Sequence, residues 1–152
     1  MSKGEYIREM SDLQVLNKAR NLAVYTLSVT DNDKNFPKKH WKSFLQPMNM
    51  EARGITILIS MANSIYVTTR HEFWIRNGLQ TIALALTYAL AESIELAHIK
   101  FKVSDKRVKY WIGLLYETRT LLRNWRNSDK QRFKKFKRID ITENDVIHEV
   151  DS

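Results

Sequence analysis

Residues with the chemistry for catalysis are few in this chain and badly spaced for it. Its histidines are His40, His71, His98 and His148, and no two stand at the i, i+4 spacing that puts a metal-binding pair on one helix face. His71-Glu72 opens like a zincin helix, but Ile75 stands where the second histidine is needed. Surface or capping roles are the simpler reading of all of them. Gly4, Gly54, Gly78 and Gly113 are too dispersed to form a phosphate-cradling loop. Glu92 and Glu95 lie three apart on a helical stretch, without the further carboxylates and histidines of a di-metal bundle site. Cysteine is absent, which removes disulfides, thiol nucleophiles and cysteine-based zinc sites. The chain therefore reads as non-enzymatic, with no catalytic residue, metal or cofactor expected. The remaining chemistry is that of charge. A formal net charge of +8 points to a polyanion, nucleic acid ahead of an anionic membrane, against the bland reading of a soluble protein that is merely basic. Trp41, set among Lys38, Lys39 and Lys42, suits base stacking and core packing equally. Trp111 and Trp125, at helical spacing beside leucines, suit the core.

The elements that must position these groups are long helices. A chain of 152 residues makes one domain with a real core, and four glycines and two prolines leave little punctuation for a many-stranded sheet. Residues 1–10 read as frayed, and residues 12–29 as a first helix. Asp31-Asn32-Asp33-Lys34-Asn35 is a loop by composition. Pro37 fits the first turn of a second helix over about residues 38–66, with Phe36 stapling its start. Pro47 inside that helix predicts a kink or a break, since a mid-helix proline costs about 3 kcal/mol. After Val67-Thr68-Thr69, read as a turn or a frayed helix end, a third helix covers residues 72–101. It has no lysine or arginine between Arg76 and Lys100 and is rich in alanine, so its second face is expected to be covered by another subunit.

The fourth helix is N-capped at Ser104-Asp105 and closed by Asn127-Ser128-Asp129. Tyr110, Trp111, Leu114, Thr118, Leu121, Leu122 and Trp125 share its apolar arc, and Lys109, Arg119, Arg123 and Arg126 its wet face. From residue 129 a basic run with Phe133 and Phe136 precedes an acidic run. The two cancel, so the whole charge of +8 belongs to residues 1–128. The expected division is a four-helix domain over 1–128 and a charge-segregated, mobile tail over 129–152, able to fold back and mask a basic surface. The polar start has no apolar signal core, and no window holds about 18 uninterrupted apolar residues. A cytoplasmic protein without a membrane span is expected.

Two segments carry a family resemblance. One is Phe36-Pro37-Lys38-Lys39-His40 opening a helix; the other is the last helix, with Tyr110-Trp111, Glu117 and Leu121-Leu122-Arg123-Asn124-Trp125. Over about residues 11–128 the chain resembles the accessory variability determinant proteins of diversity-generating retroelements. The related proteins encoded in intervening sequences of bacterial 23S ribosomal RNA genes are a second match. Their usual Ile-Pro-Ala-Asn stretch has no counterpart between Ile55 and Ile65. The resemblance implies an antiparallel four-helix bundle assembled as a homopentameric barrel. It also implies a non-catalytic partner of a reverse transcriptase, binding template RNA, and cDNA with it, during mutagenic cDNA synthesis. The alternative is a helical-bundle protein whose charge meets an acidic protein partner. The expected nucleic-acid contacts are Lys38, Lys39, Lys42, Lys109, Arg119, Arg123 and Arg126.

Overall fold

The computed structural model describes the backbone of residues 3–136 and the side chains of residues 14–136, so most of the expected tail lies outside the described residues. Four long helices account for nearly all of it: α1 (Lys3–Thr30), α2 (Gln46–Asn63), α3 (Arg70–Phe101) and α4 (Asp105–Arg132). There is no strand among the described residues. α1 packs on α2 and α4, and α3 packs on the same two, which makes an all-helical bundle around one core.

Local signals set several helix ends. Thr69 and Glu72 form a reciprocal cap on α3: the Glu72 N–H donates to Thr69 Oγ1 at 3.2 Å, and the Thr68 and Thr69 hydroxyls donate to the Glu72 carboxylate at 2.7 and 2.9 Å. These donors, the Thr68 hydroxyl first, hold the Glu72 carboxyl below its ordinary range. Ser104 caps α4 by accepting from the Arg107 N–H at 3.3 Å, as its sequence position predicts. α3 stops at Lys102, whose φ of 53° is left-handed. Glycine is the usual residue there, and a side chain in that conformation costs about 1–2 kcal/mol.

The core is built on helical spacing. In α3, Phe73, Arg76, Gln80, Ala83, Thr87, Leu90, Ile94 and Ala97 turn inward every three or four residues. Trp111 of α4 is fully buried, and its indole N–H donates to Thr26 Oγ1 of α1 at 2.9 Å; that hydroxyl donates to the Leu22 carbonyl at 2.7 Å. The buried indole N–H and the Thr26 hydroxyl are thus both partnered, and the first bond ties α1 to α4. Gly54 marks a close approach of α2 and α3, since a Cβ there would lie 3.0 Å from Leu86 Cδ1.

Four local readings change. α1 begins at Lys3, well before residue 12. The second helix is interrupted before Pro47, as expected, but by a defined device: a 3₁₀ turn (Lys38–His40) and then a π-helical turn (Trp41–Leu45) in which the Gln46 N–H donates to the Trp41 carbonyl. The extra residue in that turn accommodates a proline that cannot donate and whose ring crowds the carbonyl four residues back. On α4 the buried arc is centred on Leu115 with Val108, so Tyr110 stays exposed.

The fourth change is at the end of α4. Asp129 does not close the helix; it is 2% exposed, and the helix runs on to Arg132, past the expected boundary at 128. Asp129 accepts from Arg76 at 2.6 and 3.2 Å, Gln80 at 2.7 Å and Arg132 at 2.8 Å. Arg76 is itself 5% exposed, donates also to the Ile65 carbonyl at 3.3 Å and lies over the Trp125 ring. Beyond it, Phe133 and Phe136 pack against Phe73. Residues 129–136 thus belong to the bundle.

Candidate nucleic-acid interface

Phe101, the last residue of α3, is surrounded by three rings from the segment joining α1 to α2. Phe36 lies 5.1 Å away, His40 5.1 Å and Phe44 5.6 Å, all edge-on. This cluster brings two stretches distant in sequence to one end of the bundle. Each carries exposed lysines: Lys34, Lys38, Lys39 and Lys42 from the first connector, and Lys100, Lys102, Lys106 and Lys109 from the end of α3 and the start of α4. Acidic residues at this end are fewer. Asp33 stands 3.7 Å from Lys38, and Asp105 is held by His98 at 2.8 Å. Trp41 is 36% exposed within the same rim. A surface with this excess of cations attracts phosphates by releasing counterions, with no need to read bases. Arg107 is half buried behind the rim. Burial raises the pKa of the neighbouring Tyr25 hydroxyl, against the opposing pull of that guanidinium.

The sequence-predicted residues divide here. Lys38, Lys39, Lys42 and Lys109 gather at this end. Arg119, Arg123 and Arg126 do not: Arg126 sits 17 residues beyond Lys109, about 25 Å along the helix. Nor do all three occupy a free wet face. Arg119 is half buried, donating to Thr87 Oγ1 and to the Thr87 carbonyl at 3.0 Å each. Arg126 is half buried with its Nε enclosed, and Arg123 is exposed and donates to the Tyr88 hydroxyl at 2.8 Å. The cause is the centring of the buried arc on Leu115, which draws Arg119 and Arg126 toward α3. Sequence reasoning missed Lys100, Lys102 and Lys106. Only the connector packing places them beside Lys38–Lys42, although Lys102 as a non-glycine helix stop was a readable signal.

A second surface is apolar. Ile75, Ile82, Ala89 and Leu96 recur every seven residues on the flank of α3 beside α2, and all are exposed. Met50, Ile57 and Met61 of α2 face the same way, Met50 at 66% exposure. By length and composition α3 is apolar enough to cross a membrane, and most of that apolar window is not buried in the bundle. In the groove beneath, the Ser93 hydroxyl reaches both oxygens of Glu51 at 3.0 Å, and burial pushes the Glu51 carboxyl up. Among the described residues no cluster of histidine and carboxylate groups has the arrangement of a metal site.

No protein-family model matches the chain, and no curated protein and no solved structure is similar to it.

Proposed function

We propose that this chain is a non-catalytic, RNA-binding accessory protein that works as a homo-oligomer. The observation that carries the reading is the lysine-rich end, where two connectors converge around Phe101 and leave their cations exposed. A bundle that needed charge only for solubility would intersperse both signs over its surface. The left-handed Lys102 adds to the argument, because a costly cation stands where glycine is the cheaper residue.

The bundle is read as antiparallel: Ser93 meets Glu51 while Arg76 meets Ile65, so numbering runs in opposite senses along α2 and α3. The seven-residue apolar repeat on the exposed flank of α3 is the pattern by which one helix packs on another. We assign that flank to a second copy of the chain rather than to lipid, because the opposite side of α3 carries Arg76, Gln80 and Thr87 into the protein core. The resemblance set out above supplies the rest. Five copies close a barrel, and the partner enzyme is the reverse transcriptase of a diversity-generating retroelement in the cytoplasm. The bound RNA is its template, with cDNA as product.

Fluorescence anisotropy with structured RNA across a salt series tests the reading. Tight binding at low salt that falls steeply with added salt is expected. Light scattering should return an oligomer, and Ala89→Glu should dissociate it without loss of helicity, since Ala89 is exposed in the single chain. RNA affinity that does not change with salt, or a monomer at tens of micromolar, would overturn the corresponding half of the proposal.

A further inference from the structure

The seam between α3 and α4 has a construction that phosphate binding alone does not explain. The Arg119 guanidinium lies 3.9 Å from the centre of the Tyr88 ring and 5.1 Å from that of Tyr116. Its two hydrogen bonds to Thr87 fix it there. Arg123 holds the far end of Tyr88 by its hydroxyl. Both tyrosines nonetheless remain open to solvent, Tyr88 at 50% and Tyr116 at 53%. Each ring thus has an arginine against it and about half of its residue surface open to solvent. Arg119, Arg123 and Arg126 have no carboxylate partner among the described residues.

We propose that this seam is a stacking platform for unpaired bases, so that the protein's ligand there is a single-stranded segment of nucleic acid. The inference rests on the RNA-binding reading above and adds a ligand class to it. Tyr88 and Tyr116 supply ring faces on which bases stack, and Arg123 supplies the phosphate contact beside them. Arg119 is a positioning residue: its cation lies against the tyrosine rings and stiffens them, so little rotamer entropy is lost when a base docks. Lys109, Tyr116 and Arg123 follow one another at seven-residue intervals, about 10 Å apart along α4. A strand leaving the lysine-rich end therefore meets cation, ring and cation in turn. A duplex hides its base faces and meets only the cations. The neighbouring apolar repeat lies on the other flank of α3, so an oligomer built on Ile75, Ile82, Ala89 and Leu96 leaves the seam free.

The test compares a short single-stranded RNA with the same sequence as a duplex, by anisotropy, with the full chain. Wild type should prefer the single strand. Tyr88→Leu and Tyr116→Leu should each weaken single-strand binding about 5- to 150-fold, the range for one lost base stack, and leave duplex affinity unchanged. Tyr88→Phe keeps the ring and should bind like wild type, which separates stacking from the hydrogen bond to Arg123. Equal losses for single strand and duplex would overturn the platform while leaving the RNA-binding reading intact. Unchanged binding with altered oligomer size would overturn it in favour of a protein interface. No binding of either RNA would remove the underlying reading and this inference together.

Discussion

Around Asp129 the bundle takes charge out of water and surrounds it with partners, whereas around Phe101 it buries rings and turns its lysines outward. Both ends hold aromatic clusters and basic residues, so composition does not distinguish them. Geometry does. Arg76 is committed to a carboxylate and a carbonyl at low exposure and has little left to give a ligand. The lysines of the opposite end are free to trade counterions for phosphates. At these two ends, the same residue type is either spent inside the fold or left open to solvent.

The largest effect should come from breaking the buried end. Asp129→Ala strands Arg76 without its counter-charge and should cost about 3–5 kcal/mol, read as a lowered denaturant midpoint. Pairing Asp129→Leu with Arg76→Met removes the buried charge pair together and should recover part of that loss, the remainder being the Gln80 and Arg132 donors left without their acceptor. A double variant as unstable as the single would mean that the network's geometry, and not charge balance, holds this end.

At the other end the expected loss is of binding. Replacing Lys38, Lys39 and Lys42 together with glutamate should shift stability by less than about 1 kcal/mol, since all three are exposed. RNA affinity should fall, and the slope of log affinity against log salt should flatten by about 2 for three lost phosphate contacts. An unchanged slope would break the contrast between the ends.

Lys102→Gly sharpens it on a smaller scale. Relief of the left-handed side chain should raise stability by about 1 kcal/mol while RNA binding weakens. If stability rises and binding is untouched, Lys102 is only a poor helix stop.

The smallest effect concerns Glu51, which lies at neither end. Burial favours its protonated form in the folded state, so the native protein binds more protons than the unfolded chain between the unfolded pKa and the raised folded one. Stability contributed by the neutral form is present below the unfolded pKa and is lost as pH rises through that window. Glu51→Gln keeps an acceptor for Ser93, and in paired melts it should gain over wild type above the window and match it below. A gain that is the same at every pH would remove titration as the cause.

The sequence makes the framework of the bundle readable and its pairings far less so. Ser104 announces the start of α4, because a cap joins residues three apart, here Ser104 and the Arg107 N–H. The matching cap at α3, Thr69 with Glu72, reads from sequence only as a turn or a frayed end. The period of α3 finds the inward Phe73, Ala83, Leu90, Ile94 and Ala97. By the same apolar count it also takes in Trp74 and Ile82, which stay exposed, and it passes over the polar Arg76, Gln80 and Thr87 that turn inward. Asp129 is opaque by the same logic: its partners Arg76 and Gln80 lie 53 and 49 residues away, and locally it is one acid in a polar helix end. Arg119 misleads for a related reason. A helical wheel assigns a side chain to a face but does not show that Thr87, Tyr88 and Tyr116 will enclose it.

The π-helical turn at Trp41–Leu45 has a consequence for insertions and deletions. Loops ordinarily absorb a change of one residue, but this segment is helical on both sides of the turn. Here the turn sets the phase between α2 and everything upstream of it. Removing a single residue would restore ordinary α-helical bonding and swing the preceding segment by about 100° about the helix axis. Phe36 would leave Phe101, Lys38 and Lys39 would leave the rim, and Pro47 would press on the carbonyl that the wider turn now keeps clear. Five residues before a proline thus act as a reading frame for one whole face of the protein.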